Sequence, residues 1–222
     1  MSEVLQVDPD RPEAAEQAVA SATVAIRSGR LVVFPTETVY GLAGRPDDES
    51  ATRRIFQAKR RQPGLALPVL AASEDQAFGL GEATDEARSV AARFWPGPLT
   101  LVLPRTERSG PWFLGDHPDS IGVRVPDHPI SAALLRATGP LATTSANISG
   151  LAPLLEGTSL VDTFGEAVAV YLVLPPGVRP PGGRASTVVD MTGPDPRVVR
   201  QGAIGLRSIQ EVLAGVRAEP TG

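Results

Sequence analysis

A short apolar run that ends at a proline constrains this chain more than any other feature. Residues 31–34 read LVVF, an apolar run with two β-branched valines that is typical of a buried strand. Pro35 ends the run, because its ring fixes φ and it has no N–H to donate. Polar side chains follow at once in the segment TETVYGLAG. The sequence therefore predicts a core strand with hydroxyl groups at its end.

Two interpretations of the TET segment stay open at this point. In an extended backbone Thr36 and Thr38 point to one side and Glu37 points to the other. The hydroxyls could cap free backbone groups where the strand ends, or they could belong to a binding site. Gly41 and Gly44, which follow, permit tight turns or close approach of a ligand.

Helical patterns and apolar runs alternate along the first half of the chain, whereas the last strands are joined by loops. Helices are predicted at 12–28, 47–61, 73–94, 126–138, 160–164 and 208–215. Further strands are predicted at 65–72, 99–104, 121–125, the start of 140–150, 167–174, 186–191 and 197–202. This order favours one α/β domain with a mixed sheet. We place the domain at 12–214, with 1–11 and 215–222 as flexible ends.

The composition excludes several classes of protein. The chain of 222 residues has no cysteine, which rules out disulfides and thiolate metal sites. A net charge of -4 argues against a large nucleic-acid surface, so direct contact with RNA is expected to be weak or absent. The sequence contains no leader and no apolar run long enough to span a bilayer, which predicts a cytoplasmic protein without membrane contact.

Familiar catalytic and metal-binding motifs are missing from the sequence. His117 and His128 each stand in an Asp-His-Pro step that is typical of a solvated turn, so no metal site is predicted. The chain lacks the GxxxxGK[ST] phosphate loop and the GxGxxG fingerprint. It also lacks the GxSxG elbow of serine hydrolases, and covalent catalysis is therefore not expected.

Arg124 is the most informative charged residue of the chain. It lies in the apolar strand predicted at 121–125, on the face opposite Ile121, Val123 and Val125. A guanidinium in such a strand requires an anion, which could be a carboxylate of the protein or the carboxylate or phosphate of a ligand. The sequence leaves these two interpretations equally open.

Other polar residues gather at the predicted strand ends. They are the hydroxyl residues Thr36, Thr38, Thr143, Ser145 and Ser186 and the cations Lys59, Arg61, Arg124 and Arg200. Such a set suits an anionic ligand that is held by hydrogen bonds and charge. It favours catalysis by positioning and by stabilising phosphate charge rather than by a strong base.

Six motifs in order resemble one known family. They are PTETVYGL, the basic end at Lys59 to Arg61, FWPGPLTLVL, VRVPDHP, TSANISG, and STVVD with the later Arg200. Together they cover roughly residues 29–205 and are similar to the YrdC-like threonylcarbamoyl-AMP synthases. The length corresponds to the short form, which lacks the additional C-terminal domain of longer members.

The resemblance implies a fold and a reaction. The fold is a twisted open α/β sheet around a deep, positively charged cavity. The reaction makes L-threonylcarbamoyladenylate and pyrophosphate from L-threonine, bicarbonate and ATP with Mg²⁺. The threonine amine becomes a carbamate, whose oxygen attacks the α-phosphorus of ATP. Partner proteins then use the product to modify an adenosine beside the anticodon of tRNA.

The resemblance also implies roles for individual residues. Those matching the L-threonine pocket are Thr38, Arg124, Thr143 and Ser186, with Arg124 on the substrate carboxylate. Those matching the ATP side are Lys59, Arg61, Ser120, Ser145, Asn147 and Arg200. Catalysis is assigned to Lys59 and Arg61, and no metal ligand is assigned to the protein.

The chain departs from the family pattern at several positions. Gln62, Leu65, Ala66 and Leu70 stand where polar or otherwise typical residues are common, and Leu70 replaces a histidine. Pro153 replaces a serine and removes a further contact to ATP. Two alternatives therefore remain: an RNA-binding module without synthase activity, and a paralogue that adenylates a different carbamate.

Overall fold

A computed structural model describes residues 2–218 of the chain. Within these residues, ten strands form one sheet. The strands are β1 (Glu3–Gln6), β2 (Val32–Phe34), β3 (Gly41–Gly44), β4 (Val69–Leu70), β5 (Leu99–Pro104), β6 (Ser120–Arg124), β7 (Leu141–Ser145), β8 (Val170–Val173), β9 (Thr187–Asp190) and β10 (Arg197–Arg200). Their order across the sheet is β1-β8-β2-β3-β7-β4-β6-β5-β9-β10.

Helices cover the sheet and complete the α/β pattern. They are α1 (Glu16–Arg27), α2 (Glu49–Ala58), α3 (Glu74–Phe78), α4 (Asp85–Phe94), α5 (Pro129–Thr138), α6 (Gly157–Phe164) and α7 (Leu206–Ala218). Short 3-10 turns lie at Pro12–Ala15 and Gly165–Ala167. Among the described residues, no helix has both the length and the apolar character that a membrane crossing requires.

The sheet is mixed and open, as the sequence predicted. Strand β8 runs parallel to both β1 and β2, and the pairs β4–β6 and β5–β9 are also parallel. The other pairs, including β2–β3, β3–β7, β5–β6 and β9–β10, are antiparallel. Strands β1 and β10 stand at opposite edges, so the sheet does not close on itself.

Alternation along the strands divides the core into two clusters. In β2, Val33 belongs to the cluster under α2 and α4. Val32 and Phe34, on the other face, belong to the cluster under α1 and α5. This is the period of two that a strand buried on both faces requires. In β6 the same rule sends Ile121 and Val123 to the first cluster, and Arg124 therefore points to the other face, as predicted.

Local signals in the sequence explain where two helices begin and end. The Asp48 carboxylate accepts hydrogen bonds from the backbone N–H groups of Ser50 and Ala51, at 2.9 and 3.2 Å, and so starts α2. Gly29 adopts a φ of 73°, which is the left-handed conformation that follows a helix end, and so stops α1. Both features were predicted from the sequence.

Two strands were missed by the sequence analysis. The predicted flexible segment 1–11 contains β1, whose residues pair with β8 and whose following residue Val7 is 1% exposed. This part of the predicted boundary is therefore corrected, because the short, mostly exposed strand gave no apolar pattern. The segment from Gly41 to Gly44, whose glycines were expected to permit a tight turn or the close approach of a ligand, forms strand β3. The part of the predicted flexible C-terminal end at 219–222 lies outside the described residues.

Candidate functional site

The connection between β2 and β3 is held together by its own hydroxyl groups. Thr36 Oγ1 donates to the carbonyl of Val39 at 2.6 Å and accepts from the N–H groups of Thr38 and Val39, both at 3.2 Å. It also lies 2.9 Å from Thr38 Oγ1. For Thr36 the backbone-capping interpretation is therefore confirmed. Thr38, which is 2% exposed, instead accepts a hydrogen bond from Arg124 on β6.

Arg124 connects this turn to strand β6. Its Nη2 donates to Glu37 Oε1 at 2.6 Å and to Thr38 Oγ1 at 3.0 Å, and its Nε donates to the carbonyl of Gly97 at 3.0 Å. Of the two anions that the sequence left open, the structure contains the protein carboxylate, Glu37. Nη1 makes no hydrogen bond to any residue in 2–218, so one arm of the guanidinium stays available to a ligand. Binding of a threonine carboxylate by Arg124 stays a prediction.

A row of polar side chains continues from Arg124 across the sheet. Strand β5 pairs with β6 on one side and with β9 on the other, which places Thr100 between Arg124 and Ser186. The hydroxyls of Thr100 and Ser186 lie 2.8 Å apart. Arg200 Nη2 then donates to Ser186 Oγ at 3.1 Å and to the Ser186 carbonyl at 2.9 Å. The structure thus brings Arg124, Ser186 and Arg200 together, although they come from distant parts of the sequence.

Thr143 lies on the other side of the Thr38 turn. It is opposite Ala43 in the β3–β7 pair and is 5% exposed. Its methyl carbon would be 2.9 Å from a Cβ at Gly41, so a glycine is required there for the strands to approach each other. Its hydroxyl donates to the carbonyl of Leu141 at 2.9 Å, which uses the proton but leaves the oxygen able to accept.

Lys59 is buried at the end of α2 and holds the turn after β7. Its ammonium group donates to the Ser145 carbonyl at 2.6 Å, to the Asn147 carbonyl at 2.9 Å and to Asn147 Oδ1 at 3.0 Å. Ser145 Oγ also donates to Asn147 Oδ1, at 2.6 Å. An ammonium group has three donors, and all three are in use here. A direct contact between Lys59 and ATP, as predicted, would require one of these bonds to break.

Arg61 faces both the interior and the surface. Its Nη2 donates to the carbonyl of Leu65, and its guanidinium lies 5.8 Å from the centre of the Phe56 ring. Its Nε is buried and has no hydrogen-bond partner among residues 2–218. The same side chain lines a surface groove of about 460 Å³ that also includes Arg53, Arg60 and Phe113.

Three of the four cations of the site have their pKa lowered by the charge of another one. Burial and then the charge of Arg61 lower the pKa of Lys59 to about 8. Desolvation and then the charge of Arg200 lower the pKa of Arg61, and desolvation and then Arg124 do the same for Arg200. Burial also lowers the pKa of Arg124, although Glu37 partly offsets this. The four cations therefore form one cluster that repels protons and favours anions.

Ser120 is farther from the other predicted residues. It begins β6, and its carbonyl accepts a hydrogen bond from Arg105 at 2.9 Å. Ser120, Gly122 and Arg124 share one face of the strand, so Ser120 is about 13 Å from Arg124 along the sheet. A contact from Ser120 to a ligand on Arg124 therefore needs a ligand as long as a nucleotide.

The sequence analysis missed three residues of this region. Glu37 and Thr100 are the partners of Arg124 and Ser186, yet neither stood out by residue type. His128 was predicted to be solvated, and this is wrong, because the side chain is half-buried and its Nδ1 is buried without a hydrogen-bond partner in the described part of the chain. Burial lowers the pKa of His128, although Glu37 and then Asp127 raise it. His117 is exposed, as predicted.

Two of the departures from the family pattern change the surroundings of the site. Leu70 pairs with Arg124 in the β4–β6 register and is 4% exposed, so an apolar side chain stands beside the guanidinium. Leu65 is 67% exposed, and only its carbonyl takes part in the site, as the acceptor for Arg61. The apolar neighbour therefore lies on the predicted threonine side.

The chain matches one family model and several named proteins. The model of the Sua5/YciO/YrdC family, described as "Telomere recombination", matches residues 24–202. A Mycobacterium tuberculosis protein named "Putative threonylcarbamoyl-AMP synthase" is 40% identical over 203 residues, which cover 91% of this chain and 92% of that protein. The Pyrococcus abyssi threonylcarbamoyl-AMP synthase is 39% identical over 197 residues, which cover 88% of this chain and 57% of that protein.

Solved structures with the same fold agree with these matches. Escherichia coli YciO superimposes with a TM-score of 0.82 at 25% identity, covering 94% of this chain and 100% of that chain. Pyrococcus abyssi Sua5, in a complex with L-threonine, gives a TM-score of 0.79 at 33% identity, covering 96% of this chain and 60% of that chain. The twisted open sheet that the motifs predicted is thereby confirmed.

Proposed function

The chain belongs to the Sua5/YciO/YrdC family, and we propose that it is an L-threonylcarbamoyladenylate synthase. The enzyme makes threonylcarbamoyl-AMP and pyrophosphate from L-threonine, bicarbonate and ATP. Named relatives that share about 40% of their residues with this chain support the assignment, as does the related structure that contains L-threonine.

One observation in the structure carries the proposal. The four cations Lys59, Arg61, Arg124 and Arg200 come from three separate parts of the chain, namely the end of α2, β6 and β10. Arg61 lowers the pKa of Lys59, Arg200 lowers that of Arg61, and Arg124 lowers that of Arg200. Glu37 is the only carboxylate within hydrogen-bond distance of any of these four among the residues described. A cluster of cations with so few carboxylates suits a triphosphate next to an amino acid.

Threonine would bind at the Arg124 end of the cluster. Its carboxylate would accept hydrogen bonds from Arg124, whose Nη1 makes none to the residues that the structure describes. Thr38, Thr143 and Ser186 are buried around this end and offer hydroxyl oxygens to the amine and hydroxyl of the substrate. The carbamate that forms on the amine would then face the nucleotide.

ATP would bind at the Arg61 end of the cluster. Arg61 and Arg200 would hold the phosphates, and Lys59 would fix Ser145 and Asn147 in the turn that borders them. The charges of Arg61 and Arg200 would stabilise the pentavalent phosphorus and the departing pyrophosphate. The residues described include no group of three or more His, Asp or Glu side chains that could hold a metal ion. We therefore expect Mg²⁺ to arrive with ATP and to be held by its phosphates, where it neutralises charge.

A second candidate follows from Leu70. An apolar side chain next to Arg124 removes a polar contact from the predicted threonine pocket. The same site could then prefer a different amino acid as the source of the carbamate. An RNA-binding module without catalysis has less support, because the net charge of -4 provides no broad basic surface.

The test measures pyrophosphate release from ATP in the presence of labelled bicarbonate and each of the twenty amino acids in turn. It also measures whether the label from bicarbonate enters an adenylate product. Release that depends on threonine, together with a labelled adenylate, supports the synthase. Release that prefers another amino acid supports the second candidate. No release with any amino acid, combined with retention of RNA that weakens steeply with salt, would contradict both. We propose the cytoplasm as the location, where partner proteins would transfer the product to tRNA.

A further inference from the structure

Buried polar atoms without a partner point to one end of the site. In the part of the chain described here, three buried side-chain atoms lack a hydrogen-bond partner: Glu37 Oε2, His128 Nδ1 and Arg61 Nε. Buried polar groups nearly always have partners, so such atoms are places where a ligand can supply one. Arg61 belongs to the nucleotide end, whereas Glu37 and His128 lie together near Arg124. The threonine end thus presents two atoms that can accept a proton.

The position of Glu37 matches the shape of an amino acid. An α-amino acid carries its carboxylate and its ammonium group on the same carbon, so the two charges are close neighbours. Arg124 would bind the carboxylate through Nη1, and Glu37 is held 2.6 Å from the adjacent Nη2 of the same guanidinium. The ammonium group would then lie beside the Glu37 carboxylate, whose Oε2 is free to accept from it.

We propose that Glu37 receives the ammonium group of the bound threonine and accepts its proton. This inference rests on the proposed function. The amine needs a lone pair before it can attack carbon dioxide, so one N–H bond must break and the proton must move to Glu37 Oε2. The protonated Glu37 then gives this proton to the hydroxyl of bicarbonate, which leaves as water and yields carbon dioxide. The amine nitrogen forms the new N–C bond, and its second proton passes to solvent, which leaves the carbamate.

The arginines around Glu37 help the bound ammonium group to release its proton. Arg124 on β6 contacts its carboxylate, and His128, at the start of α5, lies close enough for the Glu37 charge to raise its pKa. Asp127, the exposed neighbour of His128, acts on that imidazole as well. Arg200 lies behind Arg124. The positive charges of both arginines make it easier for a bound ammonium group to lose a proton. Burial lowers the pKa of His128, although Glu37 and then Asp127 raise it.

The main test replaces Glu37 by glutamine, whose amide oxygen can still accept from Arg124 but whose side chain cannot take a proton. The kcat/KM for threonine is measured from pH 6.5 to 9.5 with saturating ATP and bicarbonate. We expect Glu37→Gln to lower kcat/KM at pH 7 by about 10²- to 10⁴-fold. Its activity should then rise about tenfold per pH unit, since only threonine that is already deprotonated can react, while the wild-type profile stays flatter.

Controls separate this role from a structural one. Glu211→Gln removes an exposed carboxylate of α7 that pairs with Arg207, outside the proposed site, and should leave the profile unchanged. Glu37→Asp keeps a base but shortens the side chain, so it should show a lower rate with the wild-type pH profile. If the glutamine variant does not fold, Glu37→Asp takes its place as the variant at this position.

Three results would overturn the inference. A glutamine variant with wild-type activity at pH 7 shows that no proton acceptor is needed at this position. A glutamine variant that is slower by the same factor at every pH shows that Glu37 only positions Arg124. A wild-type enzyme that releases no pyrophosphate with threonine would refute the proposed function as well, and so the two failures are distinguishable.

Discussion

The ion pair between Arg124 and Glu37 allows a quantitative prediction about stability. Nη2 and Oε1 are 2.6 Å apart, and the side chains are only 7% and 21% exposed. Removal of one partner from a buried pair leaves the other charge uncompensated, which costs about 3–5 kcal/mol when both are fully buried. Because Glu37 retains some contact with solvent, we expect Arg124→Ala and Glu37→Ala each to lower the free energy of unfolding by about 2–4 kcal/mol.

The double variant measures how strongly the charges of Arg124 and Glu37 are coupled. Since it leaves neither charge unpaired, it should lose less stability than the two single variants together, by about 2 kcal/mol or more. Urea unfolding of the four proteins at pH 7 measures this coupling energy directly. A coupling energy below about 0.5 kcal/mol would refute the reasoning, because independent sites add to within that range.

Three further predictions concern the residues around this pair. The pKa of Lys59 is about 8 in the folded protein, whereas its ordinary value is 10.5. Between these two pH values the unfolded chain binds more protons than the folded protein, so the free energy of unfolding should rise with pH from 8 to 9.5. Urea unfolding at each pH should show this rise, which amounts to up to about 3 kcal/mol between pH 8 and 10.5. Lys59→Met should remove the pH dependence, and an unchanged dependence of the free energy of unfolding on pH in this variant would contradict the assignment. Gly202→Ala should cost at least about 2 kcal/mol in urea unfolding, because the new Cβ would lie 2.2 Å from the Ala185 carbonyl oxygen, whereas Gly205→Ala, with no atom within 4 Å, should cost less than about 1 kcal/mol. Thr100→Val should raise KM for threonine several-fold by releasing Ser186, and an unchanged KM would show that the 2.8 Å contact has no role in binding.

Much of the fold could be predicted because its signals are local. The capping carboxylate at Asp48, the glycine after α1 and the alternation in β6 each depend on neighbouring residues. Strand β1 could not be predicted, since it is short and exposed and exists through pairing with β8, which is more than 160 residues away. Gly41 likewise suggested a tight turn or the close approach of a ligand, whereas it is needed for the close approach of Thr143 from another strand.

The residue types of the candidate site could be predicted from the sequence, but the contacts between these residues could not. The sequence supplied the cations and hydroxyls, because a guanidinium in an apolar strand requires an anion wherever it lies. It could not show that Glu37 meets Arg124, since these residues are 87 positions apart and only the order of strands brings them together. Nor could it show that Lys59 uses all its donors within the protein, which shifts the expected role of that residue toward positioning.

A structure of the protein with L-threonine and a non-hydrolysable ATP analogue tests the central claim most directly. We predict the threonine carboxylate within hydrogen-bond distance of Arg124 and its amine beside Glu37. The phosphates should lie between Arg61 and Arg200. Ligands bound to a different surface, with the cation cluster left uncontacted, would contradict the account.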